Sequence, residues 1–297
     1  MVRATHAPVN GTGVDPPTRQ ATAHTEESTV DDEVRIYGET GQPVLLIPGG
    51  NVTCDGFYPE LIEALLDDPG ARVIVHDRPG TGSSRTEGTI AGATRHLHAL
   101  IRRLGMGPVV VVGQSLGGGI ALLLAHDYPD DVAGIVFLDG TPVNAEGVTR
   151  QVEQSLMDGA AAVTDPAARA DIDEATAAWV ESEIENHRMR PPQAEAMRRS
   201  FQIDKARLAD YARGLGDIAA TFDQTRLRPD IPAAIISADY PPGNELTDAG
   251  LAAHRRIAEA FGTVATIWPG SLHTVHLSHP QETTEMVRDI TRRAAGI

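Results

Sequence analysis

The most informative stretch of this sequence reads VVVVGQSLGGGIALLL and covers residues 109–124. Its β-branched apolar start is typical of a strand that is buried on both faces, and its apolar end is typical of a buried helix. Gly113 and Gly117 lie two residues before and two residues after Ser115, where they permit a tight turn. The stretch therefore predicts a strand, a sharp turn and a helix, with the serine hydroxyl held out at the turn.

Shorter apolar runs lie on both sides of this stretch, and segments with apolar residues at helical spacing separate them. This alternation predicts an α/β fold, a doubly wound and mostly parallel sheet with helices on both faces. The predicted strands are 43–47, 72–76, 108–112, 134–138, 232–237 and 263–268. The predicted crossover helices are 58–66, 89–104 and 116–126.

Composition divides the chain into three parts. Residues 1–29 are rich in Pro, Gly, Thr and Ala, and we expect them to form a disordered N-terminal tail. Residues 143–228 carry helical patterns without a convincing strand, which predicts an all-helical cap over the carboxyl ends of the strands. Residues 30–142 and 229–297 then form the core domain around the sheet.

Charge, cysteine content and hydropathy exclude several classes of function. The chain has 41 acidic and 25 basic side chains, so it would repel a phosphate backbone, and we expect no nucleic-acid partner. Cys54 is the only cysteine, which excludes an intramolecular disulfide and a thiolate metal cluster. No stretch approaches the roughly 20 apolar residues of a membrane helix, and residues 1–30 lack the apolar core of a signal peptide. We therefore expect a cytoplasmic protein without a membrane partner, of unspecified oligomeric state.

The turn at Ser115 resembles the nucleophile elbow of the α/β-hydrolase family. The resemblance extends over residues 32–297, with the expected elements in the expected order. It implies an α/β-hydrolase fold in which Ser115 is the nucleophile.

The same resemblance implies an oxyanion hole. Family members usually have His-Gly in the loop after the third strand, followed by a residue whose amide binds the oxyanion. Here Pro-Gly-Gly at 48–50 occupies that place without a histidine. The amides of Gly50 and Leu116 are the implied donors, and Asn51 is the alternative to Gly50 if the loop is shifted by one residue.

The general base is expected late in the chain, because the family orders its residues serine, acid, histidine. Among eleven histidines, His273 fits best, since it follows the last predicted strand in a loop similar to the family's Gly-x-His loop. A zinc site of His273, His276 and His279 is the rival interpretation, but their spacing does not place all three on one helical face. We therefore expect neither a metal nor a cofactor.

The acid has more than one candidate. Family members usually place it after the strand that follows the cap, but residues 237–241 read Ser-Ala-Asp-Tyr-Pro, which puts proline at that position and Asp239 too early. Other members use a carboxylate at the end of the strand after the elbow helix, where Asp139 lies. Asp139 is favoured, Asp239 is the main alternative, and Glu245 or Asp248 are further alternatives.

Other motifs are given smaller roles. Residues 77–82, DRPGTG, lack the third glycine of a dinucleotide site and the lysine of a nucleotide-binding loop, and they resemble a structural turn of the family. Cys54 is interpreted as a bystander, because no fixed base or cation lies near it in the sequence. Met157, Trp179 and Phe201 are the candidate substrate-binding residues of the cap, although such residues more often only pack.

The resemblance implies acyl transfer to water: His273 removes the Ser115 proton, and Ser115 attacks a carbonyl to form an acyl-enzyme. The expected substrate is a small, largely apolar or neutral molecule with an ester, thioester, lactone or related acyl bond. Two alternatives stand beside this function. One is a cofactor-free lyase, cyclase or oxygenase on the same scaffold, and the other is a non-catalytic, hydrolase-like receptor of small molecules.

Overall fold

The computed structural model describes residues 34–297, in which the chain forms one seven-stranded sheet. The tail predicted for residues 1–29 lies outside the described residues. The strands are β1 (Val34–Tyr37), β2 (Pro43–Ile47), β3 (Arg72–His76), β4 (Val109–Gln114), β5 (Val132–Leu138), β6 (Ala233–Ser237) and β7 (Ala265–Ile267). Their order across the sheet is β1-β3-β2-β4-β5-β6-β7, and β1 alone pairs antiparallel with its neighbour. The mostly parallel sheet predicted from the sequence is confirmed.

Helices connect and cover these strands. The helices are α1 (Leu61–Asp67), α2 (Ile90–Leu104), α3 (Leu116–Asp127), α4 (Glu146–Ala162), α5 (Pro166–Asn186), α6 (Pro191–Ser200), α7 (Lys205–Ala212), α8 (Leu215–Thr221), α9 (Glu245–Ala260), α10 (Val275–Ser278) and α11 (Pro280–Ala295). Apolar residues of α2, α3 and α9 pack on one face of the sheet, and those of α1 and α11 pack on the other. The sheet is therefore doubly wound, as predicted.

Strand β4 shows why the predicted strands were continuous apolar runs. Val109 and Val111 point to the layer of α2 and α3, whereas Val110 and Val112 point to the layer of α1 and α11. All four side chains are fully buried, because both faces of the sheet are covered. This burial makes β4 a rigid support for the turn that follows it.

The ends of the sheet differ most from the sequence expectation. Strand β1 was not among the predicted strands; it is four residues long, lies at the edge of the sheet, and only its first residue, Val34, is buried. Strand β7, at the other edge, is three residues long instead of the predicted six. Edge strands pair on one side only, so their side chains need not form a continuous apolar run.

Between β5 and β6 the chain forms five α-helices, α4 to α8, a short 3-10 helix and no strand. Helix α4 packs against α7 and α8, and α5 packs against α6. Helix α6 also contacts α10, which begins two residues after His273. The helical content predicted for residues 143–228 is present, while the division of the chain into a core and a cap stays a prediction.

None of the helices within residues 34–297 combines the length and the apolar character that crossing a bilayer requires.

Candidate active site

Ser115 occupies a sharp turn between β4 and α3. Its backbone lies at φ 53° and ψ −124°, a conformation that a residue with a side chain rarely adopts. The flanking glycines are needed for close approach: a Cβ on Gly113 would lie 2.4 Å from the carbonyl oxygen of Gly117, and one on Gly117 would lie 2.2 Å from that of Ile47. The turn thus depends on glycine at both positions, as the sequence predicted.

Backbone hydrogen bonds connect this turn to the end of β5. The Ser115 amide donates to the carbonyl of Leu138 at 3.2 Å, and the Thr141 amide donates to the carbonyl of Ser115 at 2.8 Å. Asp139 and Gly140 lie between those two partners. The serine and the aspartate are therefore held in a fixed relation by main-chain atoms alone.

A line of hydrogen bonds joins Ser115, His273 and Asp139. The Ser115 Oγ lies 3.0 Å from His273 Nε2, and His273 Nδ1 lies 2.6 Å from Asp139 Oδ2. Because a carboxylate only accepts, Nδ1 carries the ring proton and Nε2 accepts from the serine hydroxyl. The Asp139 side chain is 2% exposed and that of His273 is 46% exposed, so the buried end of the line is the carboxylate.

Asp139 lies in a turn with φ 44°, and its carboxylate is fully engaged. Oδ1 accepts from the Ala238 amide at 3.0 Å, and Oδ2 accepts from the Tyr240 hydroxyl at 2.5 Å in addition to His273. Burial alone would raise the pKa of Asp139, but the hydrogen bond and charge of His273, with smaller contributions from His254 and Tyr240, hold that pKa below its usual value. Asp139 therefore stays ionised at neutral pH.

Asp239, the main alternative acid, makes different contacts. Its amide donates to the carbonyl and the hydroxyl of Ser271, and its Oδ2 accepts from the Gly270 amide at 2.8 Å. These bonds stabilise the loop that precedes His273, without a contact to the imidazole. Glu245 and Asp248 lie exposed in the first turn of α9.

A side chain from the end of β4 holds the loop that carries His273. The side chain of Gln114 donates from Nε2 to the His273 carbonyl at 2.9 Å. His276 is buried and donates from Nε2 to the Phe57 carbonyl at 3.0 Å, and burial lowers its pKa to about 3. His279 stacks on Trp268. Within residues 34–297 no three His, Cys, Asp or Glu side chains are grouped closely enough to hold a metal ion.

Gly50 and Leu116 line the cavity in front of Ser115. Leu116 is the first residue of α3, so its amide has no acceptor within the helix, and the helix dipole favours negative charge there. In the part of the chain that the structure describes, neither amide donates to another protein group. Asn51, the alternative to Gly50, donates from its side chain to the Asp204 carbonyl at 3.2 Å.

The cavity has a volume of about 210 Å³, and its walls are mainly apolar. Of the three candidates from the helical segment, Phe201 lines it, whereas Met157 does not. Trp179 is 42% exposed and packs edge-on against Phe201, with 4.9 Å between ring centroids. The lining side chains that the sequence did not single out are Val52, Phe57, Thr141, Val152, Leu156, Ser200, Ile203, Leu208 and Thr274.

Asp77 of the DRPGTG motif and Cys54 make contacts that support the fold. Asp77 accepts from the amide of Cys54 at 2.6 Å and from the amide and hydroxyl of Ser83, so it holds two loops together. The Cys54 thiol is buried and donates to the Leu46 carbonyl, and burial raises its pKa to about 12. A protonated, enclosed thiol is a poor nucleophile.

Comparisons with known proteins identify the family of the chain. A family model described as alpha/beta hydrolase fold matches residues 42–248. Lipase LipV of Mycobacterium tuberculosis is 32% identical over 154 residues, which is 51% of this chain and 57% of that protein. The sn-1-specific diacylglycerol lipase ABHD11 of Mus musculus is 31% identical over 110 residues, which is 36% of each chain. This chain thus spans less than two thirds of the length of either relative.

A solved structure shows that the fold is similar over a larger part of the chain than these two relatives cover. MenH from S. aureus superposes with a TM-score of 0.66 at 15% identity, covering 89% of this chain and 100% of that one. At this low identity the superposition concerns the fold alone.

Proposed function

Because the chain belongs to the alpha/beta hydrolase fold family, we propose that it is a serine hydrolase. Its substrate would be a small, largely apolar or neutral molecule with an ester, thioester, lactone or related acyl bond. The observation that supports this function best is the line of contacts from the Ser115 hydroxyl through His273 to the buried carboxylate of Asp139. The names of two relatives, both lipases, favour ester hydrolysis over other reactions of the fold.

The first half of the reaction forms an acyl-enzyme. His273 Nε2 takes the proton of the Ser115 hydroxyl as Oγ attacks the substrate carbonyl, and the imidazolium that results is stabilised by Asp139. The carbonyl oxygen becomes an oxyanion that the amides of Gly50 and Leu116 bind. Such a donor typically contributes about 3 kcal/mol to transition-state stabilisation. His273 then gives its proton to the leaving group, and the bond to that group breaks.

The second half releases the acid. Water enters the place of the leaving group, loses a proton to His273 Nε2 and attacks the acyl carbon. The tetrahedral intermediate uses the same two amides, and it collapses with return of the proton to Ser115 Oγ. No group outside the chain and water is needed for this sequence.

The shape of the site favours a small acyl group. The cavity of about 210 Å³ at Ser115 is lined mainly by apolar side chains, which suits a hydrocarbon part of the substrate. A second pocket of about 300 Å³ adjoins it and shares Val52, Phe57 and Ser200. Its wall carries charges of both signs, which favours a polar leaving group without net charge. Those charged residues are Asp55, Arg199, Asp204 and Arg207.

A fluorophosphonate probe tests the proposal, because it phosphonylates only an activated serine. We expect the probe to label Ser115 in the wild type and not in Ser115→Ala, and p-nitrophenyl butyrate to be hydrolysed by the wild type and not by Ser115→Ala. Ser155→Ala, an exposed serine of α4, is the matched control and should behave as the wild type.

The outcomes separate the candidate functions. Labelling at Ser115 without turnover of any ester, thioester or lactone would favour a lyase, cyclase or oxygenase that uses the same residues. Absence of labelling in the folded wild type would contradict the serine mechanism and favour a receptor.

A further inference from the structure

A tyrosine hydroxyl contacts the carboxylate oxygen that faces His273. The Tyr240 hydroxyl lies 2.5 Å from Asp139 Oδ2, the oxygen to which His273 Nδ1 donates at 2.6 Å. It also lies 3.2 Å from His273 Nδ1 itself. We propose that Tyr240 is a positioning residue that fixes the Asp139 carboxylate and sets how strongly it attracts the His273 proton. This inference rests on the proposed function.

The fold brings these groups together. Strands β5 and β6 are parallel neighbours, so the turn after β5 with Asp139 and the loop after β6 with Tyr240 lie at the same edge of the sheet. The Asp139 amide donates to the Ile236 carbonyl at 2.7 Å, and Asp139 Oδ1 accepts from the Ala238 amide at 3.0 Å. The loop after β6 thus supplies one donor to each carboxylate oxygen, and the carboxylate cannot rotate freely.

The direction of the hydrogen bonds follows from the chemistry of the groups. Tyr240 has a single hydroxyl proton, which goes to the nearer and charged partner, Asp139. Burial raises the pKa of Tyr240, with Asp139 adding to the effect, so the hydroxyl keeps this proton at working pH. Two donors, Tyr240 and His273, therefore share one carboxylate oxygen.

One other titratable group faces Asp139. His254 of α9 is buried, donates from Nε2 to the Gly140 carbonyl at 2.8 Å and accepts at Nδ1 from the Ser237 hydroxyl. Burial lowers the pKa of His254 below its ordinary value, so it is neutral at neutral pH. At neutral pH it supports the turn at Gly140 without adding a charge. The hydroxyl of Tyr240 is then the group that moderates the interaction between Asp139 and His273.

Removal of this hydroxyl should shift the pH dependence of activity in a predictable direction. Without the Tyr240 donor, more negative charge on Asp139 Oδ2 is directed at His273, which favours the protonated imidazole. The acid limb of the activity profile should then lie at higher pH in the variant than in the wild type. A loosened loop would act differently, because it would weaken the contact with Asp139 and lower the rate without this upward shift.

The experiment compares Tyr240→Phe with the wild type. We expect kcat for p-nitrophenyl butyrate to fall about tenfold with little change in KM, the size of effect of one lost hydrogen bond to a charged group. We also expect the acid limb of the kcat/KM profile to move to higher pH. Tyr128→Phe is the matched control, since Tyr128 stacks on His98 away from this site.

A second variant covers the case in which Tyr240→Phe folds poorly. Difluorotyrosine at position 240 keeps the ring and makes the hydroxyl a stronger donor. It should move the acid limb to lower pH, opposite to the effect of Tyr240→Phe. The pH dependence of fluorophosphonate labelling at Ser115 gives the same comparison without a substrate.

The outcomes separate the role of Tyr240 from the serine mechanism. A folded wild type that the probe does not label would remove the proposed function and this inference with it. A labelled, active wild type together with an unshifted acid limb in both Tyr240 variants would leave the serine mechanism in place and overturn the role of Tyr240. A rate that falls equally at every pH would also overturn it.

Discussion

Truncation of Phe201 should change the length of the acyl chain that the site accepts. Phe201 and Ile203 lie in the segment between α6 and α7 and border two spaces at once. On one side is the cavity of about 210 Å³ at Ser115, and on the other is a groove of about 590 Å³ along α5. Trp179 packs against Phe201 at 4.9 Å. In Phe201→Ala the two spaces would join.

The size of the effect follows from the space that the ring occupies. Loss of the ring leaves room for about four methylene groups, and each buried methylene is worth about 0.8 kcal/mol. A chain that reaches into the groove would gain about 3 kcal/mol, which corresponds to about 10²-fold in kcat/KM. The wild type should prefer butyrate over decanoate, and the variant should move this ratio towards decanoate by about that factor. Because Phe201 is only partly buried, the loss of folding stability should stay below about 3 kcal/mol.

The assay is kcat/KM for p-nitrophenyl esters from butyrate to decanoate. Phe222→Ala is the matched control, because Phe222 is also partly buried but packs on His126 away from the cavity. Thermal melting shows that each variant is folded at the assay temperature. An unchanged ratio of decanoate to butyrate in Phe201→Ala would refute the reasoning, as would an equal change in Phe222→Ala.

Three further predictions concern the site and its support. Asp139→Asn should lower kcat by about 10³-fold or more, whereas Asp239→Asn should change it by less than about tenfold, and the reverse order in steady-state kinetics would reassign the acid. Native Cys54 should resist iodoacetamide at neutral pH and react after unfolding, as mass spectrometry can follow, because burial raises its pKa to about 12. Gly117→Ala should lower the melting temperature and the yield of folded protein, since its Cβ would lie 2.2 Å from the Ile47 carbonyl; normal melting would contradict the close packing.

The fold was predictable where burial leaves a clear pattern. Strands β2 to β6 are covered on both faces, so their sequences are apolar runs, and β4 is the clearest of them. Strand β1 lacks this pattern. It lies at the edge of the sheet and pairs with one neighbour, and its side chains from Arg35 to Tyr37 are at least partly exposed. The pattern that identifies a central strand is therefore missing at the edge for a physical reason.

The site divides in a similar way. Ser115 could be singled out because a tight turn needs glycines in a fixed local pattern, and His273 because it follows the last strand. Asp139 was favoured over Asp239 but the alternative stayed open, because each aspartate follows a parallel strand whose carboxyl end lies on the same side of the sheet. Tertiary contacts distinguish the two residues. The Asp139 carboxylate contacts His273, whereas the Asp239 carboxylate accepts a hydrogen bond from the Gly270 amide.

Which residues line the cavity depends on how a helix is rotated about its axis, and a single sequence does not show that rotation. Leu156 of α4 lines the cavity and its neighbour Met157 does not, although both are apolar and adjacent. One residue turns a helix by about 100°, so the choice depends on how α4 packs on α7 and α8. The reacting groups are fixed by strand ends and turns, whereas α4 and the segment after α6 supply apolar side chains to the part of the wall that surrounds them. We therefore expect substitutions that alter substrate choice to lie in those two elements, and substitutions that abolish all activity to lie at the strand ends.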